Sequence, residues 1–363
     1  MKRSIFFLVA VLCISLLFSA CSNESATNDM NNTPKENSQE NNSELPGIAM
    51  VTNGSMDDHS FNEMLWEGLA SAGDEMGFEP SFIEFAGNND EEILANVKTL
   101  YDSGVRLIFM PGGAMAGAAA SSAEEYADLK IVLIDAMTEQ KPNLVSTAFA
   151  IEQAGFVAGV ASAVELDSAE FGFLGGMEIP FVQYYNWGFQ QGLLYANRKY
   201  GTSASMKAEN VIYEGSFGNY DGGKNIAEEM YGRGVSAILV AAGQTGMGAF
   251  EAAMDKSAEG DRWIIAVDFD QYERGLASDG SSIILTSAVK NYGAAAYEMS
   301  RALLEDRFPG GSELTMDASY VGIGIPSENP NLSADAVEAA EEALEAIASG
   351  SISVADNPDG LIP

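Results

Sequence analysis

Two acids stand at matching places in this chain. Asp135 ends the apolar run Ile131–Ile134, and Asp268 ends the run Trp263–Val267. A carboxylate at the end of a buried strand either caps the next element or accepts hydrogen bonds from a ligand. Lys290 comes after a third apolar run, Ile283–Ser287. Opposed acids and a lysine at strand ends suit a ligand that offers hydroxyls, as a ribose does. Charged acceptors hold such donors more strongly than neutral ones once water is excluded. The loop Thr52-Asn53-Gly54-Ser55-Met56-Asp57-Asp58-His59-Ser60 leads into Phe61-Asn62. Capping of the adjoining helix is a sufficient role for Asp57, Asp58 and Ser60. An aromatic beside an amide at a helix start suits a planar, hydrogen-bonding ligand, although Phe61 would equally serve as core.

Other chemistries are excluded on composition. The one histidine is His59, so a multi-histidine metal site is ruled out. The two cysteines, Cys13 and Cys21, both lie near the N-terminus, which leaves no thiol or disulfide chemistry for the rest of the chain. Gly218-Asn219-Tyr220-Asp221-Gly222-Gly223-Lys224-Asn225 nearly spells a phosphate-binding loop, but Asn225 stands where a Ser or Thr must hold magnesium. Gly243-Gln244-Thr245-Gly246-Met247-Gly248 lacks the dinucleotide spacing and reads as a turn that lets backbone approach a ligand. No nucleophile elbow and no Ser-His-Asp set occurs. No cofactor is expected.

The elements that must position these residues keep one rhythm. Short apolar runs at Ile48–Thr52, Ser81–Phe85, Leu107–Met110, Ile131–Ile134 and Leu144–Phe149 alternate with helical patterns at Phe61–Met76, Asp90–Asp102 and Ala116–Leu129. After a helix at Gln153–Glu165 the rhythm restarts. Strands at Phe171–Leu174, Val211–Tyr213, Ala237–Val240 and Trp263–Val267 alternate with helices near 182–198, 222–233 and 247–257. Such alternation predicts parallel sheets with helices on both faces. Two successive runs predict an α/β chain of two doubly wound lobes. The remaining units are strands Ile283–Ser287 and Ser319–Ile323 with helices Tyr292–Leu304 and Ala334–Ile347. They are expected to return to each lobe in turn. That gives one lobe of 47–150 plus about 286–309, a second of 151–285 plus about 310–363, and a hinge of several crossings. Ligands of open α/β sheets sit beyond the C-terminal ends of the strands.

The N-terminus reads as a processing signal. Met1-Lys2-Arg3, an apolar stretch from Ile5 to Phe18, and Ser19-Ala20-Cys21 make residues 1–21 a secretory signal. Leu17-Phe18-Ser19-Ala20-Cys21 resembles a bacterial lipobox, which would make Cys21 the lipidation site. The apolar stretch is shorter than the ~20 residues of a spanning helix. Residues 22–46 are Asn, Ser, Glu and Thr with almost nothing apolar, and read as a disordered tether. The chain carries 53 acids against 18 bases, a net charge of −35. Such a surface repels nucleic acid and anionic lipid headgroups, so no nucleic-acid partner is expected.

Several motifs together resemble the basic membrane lipoprotein family. They are Asp57-Asp58-His59-Ser60-Phe61-Asn62, Gly175-Gly176-Met177-Glu178-Ile179-Pro180, Tyr213-Glu214-Gly215-Ser216-Phe217, Ala241-Ala242-Gly243-Gln244-Thr245-Gly246 and Val267-Asp268-Phe269-Asp270-Gln271. The resemblance runs from about Gly47 to Leu344. It implies the type I periplasmic-binding-protein fold and a substrate-binding lipoprotein of an ABC importer that captures purine nucleosides. It implies that Phe61 and Phe217 sandwich the base, that Asn62 and Asp135 bond its edge, and that Asp268 and Lys290 hold the ribose. It places Gly243 and Gly246 against the sugar, with Asn53 and Asp58 completing the pocket. The implied partners are a nucleoside, an ABC permease with its ATPase, and the membrane through lipid on Cys21. The protein is expected to be a monomer on the outer face of the cell membrane and not an enzyme. The rival functions are a ligand sensor that presents its closed form to a signalling partner, a surface adhesin, and a hydrolase, for which the nucleophile–base pair is missing.

Overall fold

A computed structural model describes residues 45–56, 61–85, 89–256 and 262–363. Cys21, Asp58, His59 and the expected signal and tether up to residue 44 lie outside the described residues.

The first sheet is built from β1 (Gly47–Asn53), β2 (Ser81–Phe85), β3 (Val105–Pro111), β4 (Lys130–Ile134), β5 (Leu144–Phe149) and β11 (Ser312–Met316). Its strand order is β11-β5-β4-β3-β1-β2, and all its pairs are parallel. The second contains β6 (Glu170–Gly175), β7 (Ser205–Tyr213), β8 (Ala237–Ala241), β9 (Trp263–Asp268), β10 (Ile284–Lys290) and β12 (Ile323–Gly324). Its order is β12-β10-β9-β8-β6-β7, parallel except for the β10–β12 pair. The central strands β4 and β8 read Lys-Ile-Val-Leu-Ile and Ala-Ile-Leu-Val-Ala because helices cover both faces. Phe109 and Phe173 are fully buried in this way, each contributing roughly 1.5–3 kcal/mol.

The helices are α1 (Phe61–Met76), α2 (Asp90–Asp102), α3 (Ala116–Glu125), α4 (Ile151–Leu166), α5 (Pro180–Lys199), α6 (Tyr220–Gly232), α7 (Gly243–Lys256), α8 (Tyr292–Leu304) and α9 (Ala334–Ala348). Local chemistry sets their starts. Asn89 caps α2 by accepting the Glu92 N–H at 2.8 Å, and acids fill the first turn, where the helix dipole favours them. Asn291 caps α8 through the Ala294 N–H at 3.0 Å.

Three segments cross between the sheets: β5 to α4 at Ala150, β10 to α8 at Asn291, and β11 to β12 across 317–322. They are tied to one another, since the Ala150 N–H donates to Met316 O (3.2 Å) and the Asn291 N–H to Gly322 O (2.8 Å). The crossing at Ala150 falls at the expected boundary, whereas the later two fall at other places than the sequence suggested. All of β10, through Lys290, stays in the second sheet, and Ser312–Met316 returns to the edge of the first. A strand seen alone does not declare its sheet, and β11 alternates exposed and half-buried residues at an edge. The expected strand Ser319–Ile323 is mostly a short 3-10 turn at Ala318–Tyr320, with β12 reduced to two residues.

Candidate functional site

In each sheet the strand order reverses beside the first strand of the lobe, between β1 and β3 and between β6 and β8. Open α/β sheets bind ligands beyond the strand ends at such a point. The loops there carry glycines, and a phenyl ring rests on each. A methyl group placed on Gly112, after β3, would lie 3.6 Å from Phe61 Cε1. One on Gly176, after β6, would lie 2.3 Å from Phe217 Cδ1, and one on Gly243, after β8, 3.4 Å from Phe217 Cβ. Only a residue without a side chain lets Phe217 sit where it does at Gly176. The first turn of α7 holds that ring's loop in place. Thr245 Oγ1 donates to Ser216 O (2.9 Å) and accepts from the Asn219 N–H (2.9 Å). On the other lobe Phe61 opens α1 and packs on Tyr292, the first residue of α8, with centroids 4.1 Å apart at 43°.

The charged residues meet between the sheets. Lys290 Nζ donates to Asp135 Oδ2 at 2.7 Å and pairs with Asp268 Oδ1 at 3.0 Å. One acid comes directly after β4 of the first sheet and the other ends β9 of the second. Both have left-handed backbones, with φ 53° at Asp135 and 74° at Asp268. Outside glycine this conformation is uncommon and costs of order 1 kcal/mol or more. At Asp268 a tight turn, Phe269 N–H to Val267 O at 3.0 Å, imposes it. Two phenols join the cluster: Tyr185 of α5 donates to Asp268 Oδ1 (3.0 Å) and Tyr292 to Asp135 Oδ2 (3.3 Å).

Burial acts to discharge Lys290, but the carboxylates of Asp268 and Asp135 outweigh it and hold its pKa above the ordinary lysine value. Burial, reinforced by these same acids, raises the phenols of Tyr185 and Tyr292 well above the usual range. At neutral pH Lys290 is therefore an ammonium and both phenols are neutral, around the side chains of Asp135 and Asp268. Such an arrangement accepts hydrogen bonds from a neutral ligand between two aromatic faces. Among the described residues no cluster of His, Cys, Asp and Glu could hold a metal ion.

The expected site residues thus separate. Asp135, Asp268 and Lys290 meet directly, while Phe61 and Phe217 stand on the glycine loops of opposite lobes. Asn62 is buried, and its Nδ2 donates to Ser55 O at 3.1 Å, which ties the loop after β1 to α1. Asn53 is the last residue of β1. At Gly246 a methyl group would lie 2.7 Å from Val240 Cγ1, so the missing side chain lets α7 pack on the sheet. Sequence reasoning missed Tyr185, Tyr292 and Gly112. Tyr292 had a signal, since it stands two residues after Lys290, next to its capping Asn291. Tyr185 had none, lying inside a helix among other aromatics. A separate cavity of about 940 Å³ lies beside the crossings, walled by residues such as Met64, Val157, Ile323 and Leu344. None of the opposed charges lines it, so the site is assigned to the cluster.

Two largely parallel sheets with reversed strand order, three crossings and charges meeting between them define a two-lobed solute-binding protein of the type I periplasmic-binding class. The solved structure of an ABC transporter system solute-binding protein from Conexibacter woesei shares this fold, with a TM-score of 0.67 at 18% identity over 86% of this chain and 99% of that one. Residues 46–358 match the family described as ABC transporter substrate-binding protein PnrA-like, or Bmp, and the chain belongs to that family. Basic membrane protein A of Borreliella burgdorferi is 30% identical over 291 residues, covering 79% of this chain and 77% of that protein. The ABC transporter nucleoside-binding protein BmpA of Lactococcus lactis subsp. cremoris is 28% identical over 295 residues, covering 77% and 81%. The family consists of extracytoplasmic substrate-binding proteins, which bind a solute without transforming it. Among the described residues no helix is long and apolar enough to cross a membrane.

Proposed function

We propose that this protein captures nucleosides, purine nucleosides in preference, between its two lobes and delivers them to an ABC permease. The observation that carries this reading is the meeting of Asp135 and Asp268, from different sheets, on the single ammonium of Lys290. A nucleoside offers what that geometry asks for: a planar base for Phe61 and Phe217, N–H donors on the base edge for Asp135, and ribose hydroxyls for Asp268. Lobe closure around the ligand is the working motion. Lipid on Cys21 would hold the protein at the outer face of the membrane. The relative from Lactococcus lactis, named for nucleoside binding, supports the same ligand class. The test is calorimetric titration of the purified protein with guanosine, inosine, adenosine, cytidine and free ribose. One-to-one binding with purines ahead of cytidine is expected. Binding of an amino acid or free sugar in place of every nucleoside overturns the proposal. Anchoring is checked separately: a Cys21→Ser chain should lose its acyl groups and leave the membrane fraction.

A further inference from the structure

The two carboxylates at the centre of the site are held alike, one oxygen inward and one outward. At Asp268 the phenol of Tyr185 and the ammonium of Lys290 both converge on Oδ1, each at 3.0 Å. At Asp135 the phenol of Tyr292 and the same ammonium converge on Oδ2, at 3.3 and 2.7 Å. Neither Asp268 Oδ2 nor Asp135 Oδ1 takes a hydrogen bond from any described residue. The Asp268 side chain is 42% exposed and that of Asp135 24%, whereas Lys290 beneath them is 10% exposed. Each acid therefore turns one saturated oxygen toward the protein and one unsatisfied oxygen toward the space between the lobes.

Lys290 alone cannot enforce that orientation. A carboxylate rotates easily about its last bond, its two oxygens are equivalent, and an ammonium on a flexible stem can track either one. A phenol fixed on a helix is different, because its O–H reaches one point in space. Tyr185 is fixed because α5 packs closely on α4: a methyl group on Gly188 would lie 2.0 Å from Glu152 O. Tyr292 is fixed between Phe61 and Phe149, with centroids at 4.1 and 5.0 Å. Both phenols stay neutral in their burial, so toward a carboxylate each can only donate.

We propose that Tyr185 and Tyr292 are positioning residues that aim Asp268 Oδ2 and Asp135 Oδ1 at the ligand, so that a bound ligand must bring one hydrogen-bond donor to each lobe. This rests on the nucleoside reading, in which ribose hydroxyls meet Asp268 and base N–H groups meet Asp135. It adds the requirement that both donors be present together, and it names the residues that set it.

The experiment pairs the Tyr185→Phe and Tyr292→Phe variants of the full protein with guanosine analogues that lack one donor set. Binding is read by calorimetry and folding by thermal melting. Each variant is expected to bind guanosine about tenfold more weakly, the scale of a hydrogen bond to a charged group. The Tyr185→Phe loss should shrink to within about twofold for 2′,3′-dideoxyguanosine, which has no ribose diol, because removing both ends of one interaction is not additive. The Tyr292→Phe loss should shrink likewise for purine riboside, which has no N–H on its base edge. Swapping variant and analogue should leave the full loss in place. A loss of the same size for every ligand makes the phenols structural and overturns the inference, as does no loss at all. If the unaltered protein binds none of these ligands, the nucleoside reading falls and takes the inference with it. If either Phe variant melts far below the parent, Asp268→Asn with 2′,3′-dideoxyguanosine decides instead: about the same affinity as the parent for that ligand is expected, and a large further loss overturns the aiming of Asp268.

Discussion

Lys290 is the residue on which both lobes meet, and its surroundings set what removing it does. Lys290→Met leaves Asp135 and Asp268 facing each other without a cation. Stranding buried charge costs several kcal/mol, but both acids are partly solvated, so a loss of about 1–3 kcal/mol in denaturant unfolding is expected. The pH dependence has a definite sign. A lysine whose folded pKa lies above its ordinary 10.5 contributes its full stability below that value and loses it as pH rises through the folded pKa. The gap between parent and variant should stay level from pH 7 to about 10 and narrow only above. Glu152, in the first turn of α4, has the opposite consequence at neutral pH. Burial, with Asp356 and Asp317 nearby, raises its carboxyl above the usual value. Its favourable contribution is present only below its ordinary pKa of 4.5, and holding it ionised at pH 7 destabilises the fold. Glu152→Gln should therefore raise the melting temperature at pH 7 and give no gain at pH 4. Asp135, Asp268 and Lys290 were legible because each closes an apolar run, and strand ends are where this architecture binds ligands. The Tyr185 contact was not legible, because its partner lies on a β-strand eighty-three residues away. Gly246 carries two readings in sequence, because a glycine that lets a helix approach a sheet has the same letter as one that lets backbone approach a sugar.

The elements that hold these residues are joined by glycine contacts that periodicity alone does not reveal. Along α4, methyl groups on Gly155 and Gly159 would lie 2.6 and 2.5 Å from the carbonyls of Tyr185 and Phe189 on α5. On α5, those on Gly188 and Gly192 would lie 2.0 and 2.2 Å from the carbonyls of Glu152 and Phe156 on α4. Both helices repeat glycine every four residues on the shared face, so their backbones nearly touch. Gly188→Ala cannot be absorbed by a side-chain shift, because the obstacle is backbone. A cost of about 3 kcal/mol is expected in urea unfolding, at the upper end for overpacking. Because Tyr185 lies one turn away on α5, ligand affinity should fall as well. A stability loss near zero would mean that the two helices separate more easily than their contact implies. Most helices and parallel strands were legible at this scale, since their apolar runs are long and their caps explicit, as at Asn89 and Asn291. The edge strands β11 and β12 were not. One alternates in burial and the other is two residues long, so their place depends on the sheet they join.

At the scale of the molecule, 53 acids against 18 bases leave a net charge of −35 that local pairing cannot remove. The exposed pairs that do form, such as Lys98 with Asp102 and Lys199 with Glu342, sit in solvent, where screening and side-chain entropy leave them little net effect. The unpaired carboxylates repel one another, and they lie closer together in the folded chain than in the expanded one. Added salt shortens the screening length from ~30 Å at 0.01 M to ~3 Å at 1 M. Screening should therefore favour the compact state and raise the melting temperature of the ligand-free protein. Ligand affinity should respond far less, because a nucleoside is neutral and its acceptors are already compensated by Lys290. The measurement is thermal unfolding of the chain expressed without residues 1–21 across a sodium chloride series, with a neutral osmolyte as control and nucleoside titrations at each end. Stabilisation by salt but not by an equal osmotic load of osmolyte would assign the effect to charge. A melting temperature unchanged by salt would mean that the acidic surface already holds its charges too far apart to interact. A ligand affinity that falls steeply with salt would instead point to a charged ligand, and the neutral nucleoside would be the wrong class.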